Sequence, residues 1–267
     1  MVKTNFYQIN RAVKVKKLNH SDVLSLAFEK KALIDDNKDL LFKFINHVKK
    51  FEIIPSQLYQ DVFASFIVGN RFDKTFLEFG ATNGLSLSNS YALEVFLGWK
   101  GVLAEPDYKW FSDLKKNRPN TEIVTECVWS KSGEKLNFWS ADNGELSTIN
   151  DFKENGIEFY EGNVIERKKA GKNVTVNTIS LNDVIEKKFK SKCPSYISID
   201  TEGSEFEILK NFNFNYYRPI VFTIEHNFTV NELEIDKLMY ANNYVRIFKN
   251  LTLFDAWYVK KEILDFI

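Results

Sequence analysis

Lys74–Gly84, reading KTFLEFGATNG, is the stretch that decides the fold. Its apolar run, Thr75–Phe79, carries one acidic residue, Glu78, and then breaks into two glycines, Gly80 and Gly84, separated by Ala81, Thr82 and Asn83. Such a run predicts a strand that enters a tight turn. Beyond it, Leu85, Leu87, Tyr91, Leu93, Val95, Phe96 and Leu97 are dense enough in apolar side chains for a packed helix ending at Gly98. A second apolar strand, Gly101–Ala104, stops at Glu105 and Pro106. Strand, glycine turn, helix, strand and carboxylate make half of a nucleotide-binding α/β fold.

A glycine turn lets the backbone approach a ligand closely, and a carboxylate at the end of the next strand can accept two hydrogen bonds from a ribose diol. Glu105 follows Gly84 by twenty-one residues, the interval that role requires. The dinucleotide fingerprint G-x-G-x-x-G is missing, because Gly80 has no glycine two positions away on either side. The pattern is acidic-x-Gly-x-x-x-Gly, which resembles motif I of the class I S-adenosylmethionine-dependent methyltransferases. That ligand carries no pyrophosphate and needs no third glycine.

The 267 residues, 44% apolar and 15% aromatic, suit one sizeable α/β domain (residues 56–267) with an N-terminal helical extension (residues 1–55). Lys+Arg and Asp+Glu both number 36, so no excess positive charge points to a nucleic-acid backbone. Cys127 and Cys193 fit neither a disulfide framework nor a CxxC metal site, and a reducing cytoplasm is the expected location. No run approaches about eighteen uninterrupted apolar residues, so no membrane span is expected.

In the first fifty residues, Leu24, Ala27, Phe28 and Leu33 mark one helical segment and Leu40, Leu41, Phe44, Ile45 and Val48 a second, with Asp35 and Asp36 as caps. A better-defined helix opens at Pro55–Ser56, with Ser56 as N-cap. Its position just before the glycine turn lays Gln57 and Asp61 over the ligand cleft. Thr121–Trp129 reads as the third strand, with Glu126 and Cys127 near its end, where an adenine ring would rest. Lys135–Ser140 reads as an extra strand, residues 150–174 as a solvated excursion, and Val174–Ile179 as renewed β structure.

The next buried strand, Ser195–Ile199, delivers Asp200, Glu202 and Glu205, which would repel one another if all were buried and ionised. Pro219–Ile224 ends in Glu225, His226 and Asn227. Neighbouring parallel strands share one carboxyl edge, so Asp200 and His226 are expected to meet across the cleft. Two terminal runs, Tyr244–Lys249 and Leu251–Lys260, read as a hairpin, as in a methyltransferase sheet closed by an antiparallel strand.

Seven blocks occur in order: FLEFGATNGLSLSNSYALE, GWKGVLAEPD, ECVWSKSGEKLNF, ELSTI, TISLNDVI, YISIDTEGSEFEILKNF and PIVFTIEHN. Together they resemble the FkbM-type methyltransferases, in the branch where an SQ-x-x-QD helix, Ser56–Asp61, precedes the glycine motif. The resemblance covers roughly Ser56 to Lys260. It implies a Rossmann-like, mostly parallel seven-stranded sheet with an antiparallel terminal strand and helices on both faces. It also implies S-adenosylmethionine as cofactor and O-methylation of a hydroxyl on a sugar, glycan or related small molecule. Glu78, Gly80 and Gly84 match the cofactor turn, with Ala81, Thr82 and Asn83 between them, and Glu105 matches the ribose-binding acid. Asp200 and Glu202 match the family's aspartate-x-glutamate-glycine block, and Glu225 and His226 its glutamate-and-histidine strand end.

For the chemistry, His226, Asp200 or Glu202 is the expected general base. Some O-methyltransferases place Mg²⁺ at these strand ends, where Asp200, Glu225 and Asn227 offer hard oxygen ligands. Two other functions remain open on sequence alone: a non-catalytic module binding a nucleotide-like ligand or a partner, and a protein or nucleic-acid methyltransferase.

Overall fold

A computed structural model describes residues 38–152 and 161–267. The expected helix around Leu24–Leu33 and the caps Asp35 and Asp36 lie outside the described residues.

Seven strands form the main sheet: β1 (Thr75–Phe79), β2 (Lys100–Ala104), β3 (Glu122–Val124), β8 (Tyr196–Ile199), β9 (Val221–Glu225), β10 (Tyr244–Ile247) and β11 (Asp255–Lys260). Their spatial order is β10-β11-β9-β8-β1-β2-β3. β3, β2, β1, β8 and β9 run parallel, and β11 lies antiparallel between β9 and β10. Strand order reverses at β1, whose neighbours are β2 and β8, and a reversal of this kind opens a crevice at the carboxyl ends.

Helices cover both faces. On one side α1 (Lys38–Val48) and α2 (Gln60–Val68) pack against Trp257 and Phe248. Phe44 lies edge-on to Phe63 and to Trp257, with ring centroids 5.9 Å apart in each pair, and Phe63 stacks on Trp257 at 4.4 Å. The apolar stripe expected from Leu40 to Val48 is thus part of the central core. On the other side α6 (Leu181–Phe189), α7 (Glu205–Leu209) and α8 (Asn231–Ala241) bury Val184, Ile208 and Met239 against Ile197 and Phe222. The short α3 (Tyr91–Val95) and α4 (Phe111–Asn117) link β1 to β2 and β2 to β3.

Four expected elements come out differently. The run Thr121–Trp129 is two strands, because after β3 the chain leaves the main sheet and β4 (Cys127–Trp129) pairs parallel with β7 (Gly171–Ser180). With β5 (Lys135–Ala141) and β6 (Thr148–Ile149) these make a second sheet in the order β4-β7-β5-β6. The polar excursion carries α5 (Glu161–Lys169) and the first residues of β7. Finally, Ser56 does not cap α2. Its hydroxyl donates to Asp61 at 2.5 Å, and its backbone forms an isolated bridge with Leu87, so the helix starts only at Gln60. The stretch after Gly84 is correspondingly a loop up to α3, pinned to Ser56.

Removing a buried aromatic ring from such a contact costs about 3–5 kcal/mol. Phe44→Ala should therefore lower the denaturation free energy of the whole chain by that amount in a single cooperative transition. An unchanged midpoint would mean that α1 is an appendage outside the core.

Candidate functional site

The carboxyl ends of β1, β2, β8 and β9 surround a cavity of about 480 Å³, within the range typical of small-molecule sites. Gln57, Glu78, Gly80, Thr82, Asn89, Glu105, Cys127, Asp200, Glu202, Glu225 and Asn227 all line it. A short 3-10 turn over Gly144–Leu146, carried by the second sheet, closes one wall together with Phe138 and Ile149.

Gly80 sits where β1 turns. Its φ is +71°, and a Cβ built there would lie 1.9 Å from the backbone oxygen of Asp200. Only glycine lets the ends of β1 and β8 touch in this way. The turn is fastened to its neighbour by the amides of Gly80 and Ala81, both donating to the carbonyl of Ala104. Asn83 caps the next residues, its Oδ1 accepting from the amides of Leu85 and Ser86. Ala81, Asn83 and Gly84 thus support the turn, while Gly80 and Thr82 face the cavity.

Glu78 is buried beneath the turn. It accepts from the Ser88 hydroxyl at 3.0 Å, the Asn89 amide at 2.8 Å and the Ser90 hydroxyl. Burial raises its pKa, and the fully buried Arg118 nearby opposes that rise. Arg118 in turn pairs with Glu94 and donates to Gly84, Ser88 and Ser90, so it knits the whole loop after the turn. Neither Arg118 nor the two serines stood out in the sequence, since nothing in their spacing marks a partner of Glu78. Asn89 went unremarked as well. It is only 6% exposed, its Nδ2 donates to Ser198 at 2.9 Å, and its Oδ1 has no partner.

Glu105 ends β2 and accepts from the amides of Thr82 and Asp107, each at 2.8 Å. Those two bonds aim the carboxylate and leave acceptor positions open. Burial raises its pKa to about 7, against the opposing amides.

Opposite stands a group of three acids. One oxygen each from Asp200, Glu202 and Glu225 lies within 4.8 Å of the others. Asp200 follows β8, and Glu202 is presented by a turn in which its own φ is +59° and that of Gly203 is +124°. Glu205 builds that turn, its Oε1 accepting from the amides of Thr201 and Gly203 and from the Thr201 hydroxyl. Arg167 on α5 holds Glu202 by an ion pair of 2.5 Å. Desolvation first, then neighbouring carboxylates, push Asp200 to about 7 and Glu202 to about 8. The pKa of Glu225 also rises, chiefly through burial and through the Asp200 charge, and the two acids share a hydrogen bond.

Several expected site residues are not brought to the cavity. The side chain of His226 is fully buried, with the Arg246 guanidinium 3.0 Å from Nε2 and the Phe228 amide 2.9 Å from Nδ1. Burial lowers its pKa to about 4, so the ring is neutral, and it does not line the cavity. The physical reason is that β11 pairs with β9 and, with β10, brings Arg246 beneath the ring. Asp61 is buried under the cleft, accepting from Ser56 and from the Val62 amide. Glu126 lines a separate recess with Ser132 and Lys187, because the chain crosses between sheets at that point. Asn227 does line the cavity, but its amide donates to Glu225 at 2.7 Å, so the acids that converge are Asp200, Glu202 and Glu225. Cys127 does line the cavity, but burial pushes its thiol up to about 12, which favours the protonated form over a thiolate nucleophile.

Buried acids with raised pKa values link folding to pH. Asp61, Glu105, Asp200 and Asp255 are all raised to about 7, from 3.8 for aspartate and 4.5 for glutamate. The folded chain keeps protons that the unfolded chain has released, so stability falls as pH rises through this interval. Melting temperatures should decline from about pH 5 to about pH 8, and Asp61→Asn should flatten the decline. A melting temperature that climbs over this range would contradict the assignment.

A family model for the methyltransferase FkbM domain matches residues 78–247. No curated protein sequence matches the chain at a significant level. Among solved structures, precorrin-6y C5,15-methyltransferase from Geobacter metallireducens GS-15 is 11% identical, with a TM-score of 0.36 over 73% of this chain and 76% of that one. A candidate RNA methyltransferase from Pyrococcus horikoshii is also 11% identical, with a TM-score of 0.35 over 75% of this chain and 82% of that one. Identification rests on the family match together with the strand order: the chain belongs to the FkbM methyltransferase family.

Proposed function

We propose that the chain is an S-adenosylmethionine-dependent methyltransferase that methylates a hydroxyl on a sugar, glycan or related small molecule. What supports this most directly is one cavity shared by the glycine turn, by Glu105 and by Asp200. The residues fit the cofactor. Thr82 and Gly80 offer a close backbone wall, Glu105 has acceptor positions open for a ribose diol, and the partnerless Oδ1 of Asn89 suits an ammonium. Cys127, Val128 and Phe138 provide an apolar slot for a flat base.

When bound, the cofactor supplies a methyl group made electrophilic by its sulfonium. The chain must then align the hydroxyl and take its proton. Asp200 is the proposed acceptor of that proton. It faces the cavity with a pKa of about 7, whereas Glu202 is tied to Arg167. With the cofactor bound, the Asp200 carboxylate would take the proton of the acceptor hydroxyl as that oxygen receives the methyl group. Glu225 lends its hydrogen bond to Asp200 and holds that carboxylate in place.

Calorimetry with S-adenosylmethionine should show saturable binding, and no heat at millimolar cofactor would sink the proposal. With a labelled methyl donor and a panel of uncharged glycosides, kcat should rise with pH through about 7, as ionised Asp200 accumulates. Asp200→Asn should lower kcat by about 100-fold while the affinity for S-adenosylhomocysteine stays within a few-fold. Undiminished turnover by this variant would remove Asp200 from the role.

A further inference from the structure

Six carboxylate side chains line the cavity, Glu78, Glu105, Glu145, Asp200, Glu202 and Glu225, and no lysine, arginine or histidine does so among the described residues. They arrive from five separate places: β1, the end of β2, the Gly144 turn of the second sheet, the turn after β8, and the end of β9. Among the described residues, the cations that pair with or act on these acids do not themselves line the cavity. Arg118 lies behind Glu78, Arg167 behind Glu202, and Lys109 pairs with Asp107 and reaches Ser147. Arg246 is turned to Glu232, Asp236 and the neutral His226. Two further acids, Glu205 on α7 and Asp255 on β11, add negative field at Asp200 from the rear. The partnerless Oδ1 of Asn89 is one more acceptor in the lining, where a donor would have been available to an anionic ligand.

Low-dielectric walls strengthen such a field, because charges inside them are screened less than in water. We propose that the cavity is a cation-selective chamber, which holds the positively charged form of the methyl donor more tightly than the neutral thioether left after transfer. This inference rests on the cofactor assignment above. The two ligands differ by one methyl and one positive charge, so the chamber discriminates by charge and favours departure of the spent cofactor. The raised pKa values of Asp200 and Glu202 fit this view: burial is the main cause of each, and neighbouring carboxylates add to it even though Arg167 pairs with Glu202.

The test is calorimetry on the full chain at about pH 8.5, above the raised values of Asp200 and Glu202. Three ligands are compared: S-adenosylmethionine, its amine analogue sinefungin, which carries a cation at the sulfonium position, and S-adenosylhomocysteine. Both cations should bind about tenfold tighter than S-adenosylhomocysteine. In Glu202→Gln and Asp200→Asn that ratio should shrink towards one. The wild-type ratio is informative even if a variant fails to fold. S-adenosylhomocysteine binding as tightly as the cations, or more tightly, overturns the proposal and leaves the cofactor assignment standing. Failure of all three to bind overturns both.

Discussion

The contact on which the rest depends is the one between Gly80 and Asp200. A Cβ at position 80 would sit 1.9 Å from the Asp200 carbonyl, closer than any side chain can tolerate. With a hydrogen there, the end of β1 settles against the end of β8, and the turn beyond it reaches the carbonyl of Ala104 on β2. Three adjacent strands therefore finish at one level. That common level brings Thr82, Glu105 and Asp200 around a single cavity. A glycine at position 80 is expected to admit a ligand, whereas the closest approach here is between two parts of the chain itself.

Charge burial is the second constraint. Glu78, Glu105, Glu205 and Asp61 are each stripped of water, and each is compensated by amide or hydroxyl donors from its own neighbourhood. A buried acid satisfied in this way rigidifies the loop that supplies its donors. Glu78 fixes residues 88–90, Glu105 fixes the turn at Thr82, and Glu205 fixes the turn that displays Glu202. Asp200, Glu202 and Glu225 instead converge on one another across the cavity, with one oxygen of each within 4.8 Å of the others. The converging acids thus differ from the loop-fixing ones in partners rather than in type.

This difference explains what could be read from the chain and what could not. The succession of strand, glycine turn and strand and the place of Glu105 were legible because each rests on local spacing, a run of apolar residues followed by a fixed interval. The break at Thr125–Glu126 was not, because both halves of Thr121–Trp129 have β character and only pairing with β7, some fifty residues later, separates them. His226 was misplaced for a related reason. Its position at the end of β9 is local, but Arg246, which draws its ring away, arrives on β10 across β11. The same holds for Arg118, whose partners Gly84, Ser88, Ser90 and Glu94 precede it by 24 to 34 residues and at no regular interval.

A division of labour follows from where the cavity's walls come from. One side is the ends of β1, β2, β8 and β9, held by parallel ladders and by Gly80. The other is the Gly144–Leu146 turn with Phe138 and Ile149, carried by a second sheet that the main sheet does not share. Gly144 packs so closely on Trp110 and Lys109 that a Cβ there would come within 2.4 Å of the indole. The Lys109 ammonium reaches the Ala141 carbonyl and the Ser147 hydroxyl, so the turn is bolted to the segment after β2. A change of length between β5 and β6 would reshape this wall and leave the strand ends untouched. On the proposed function, such a chain could alter its acceptor without rebuilding the site for its donor, since only the wall from the second sheet would need to change.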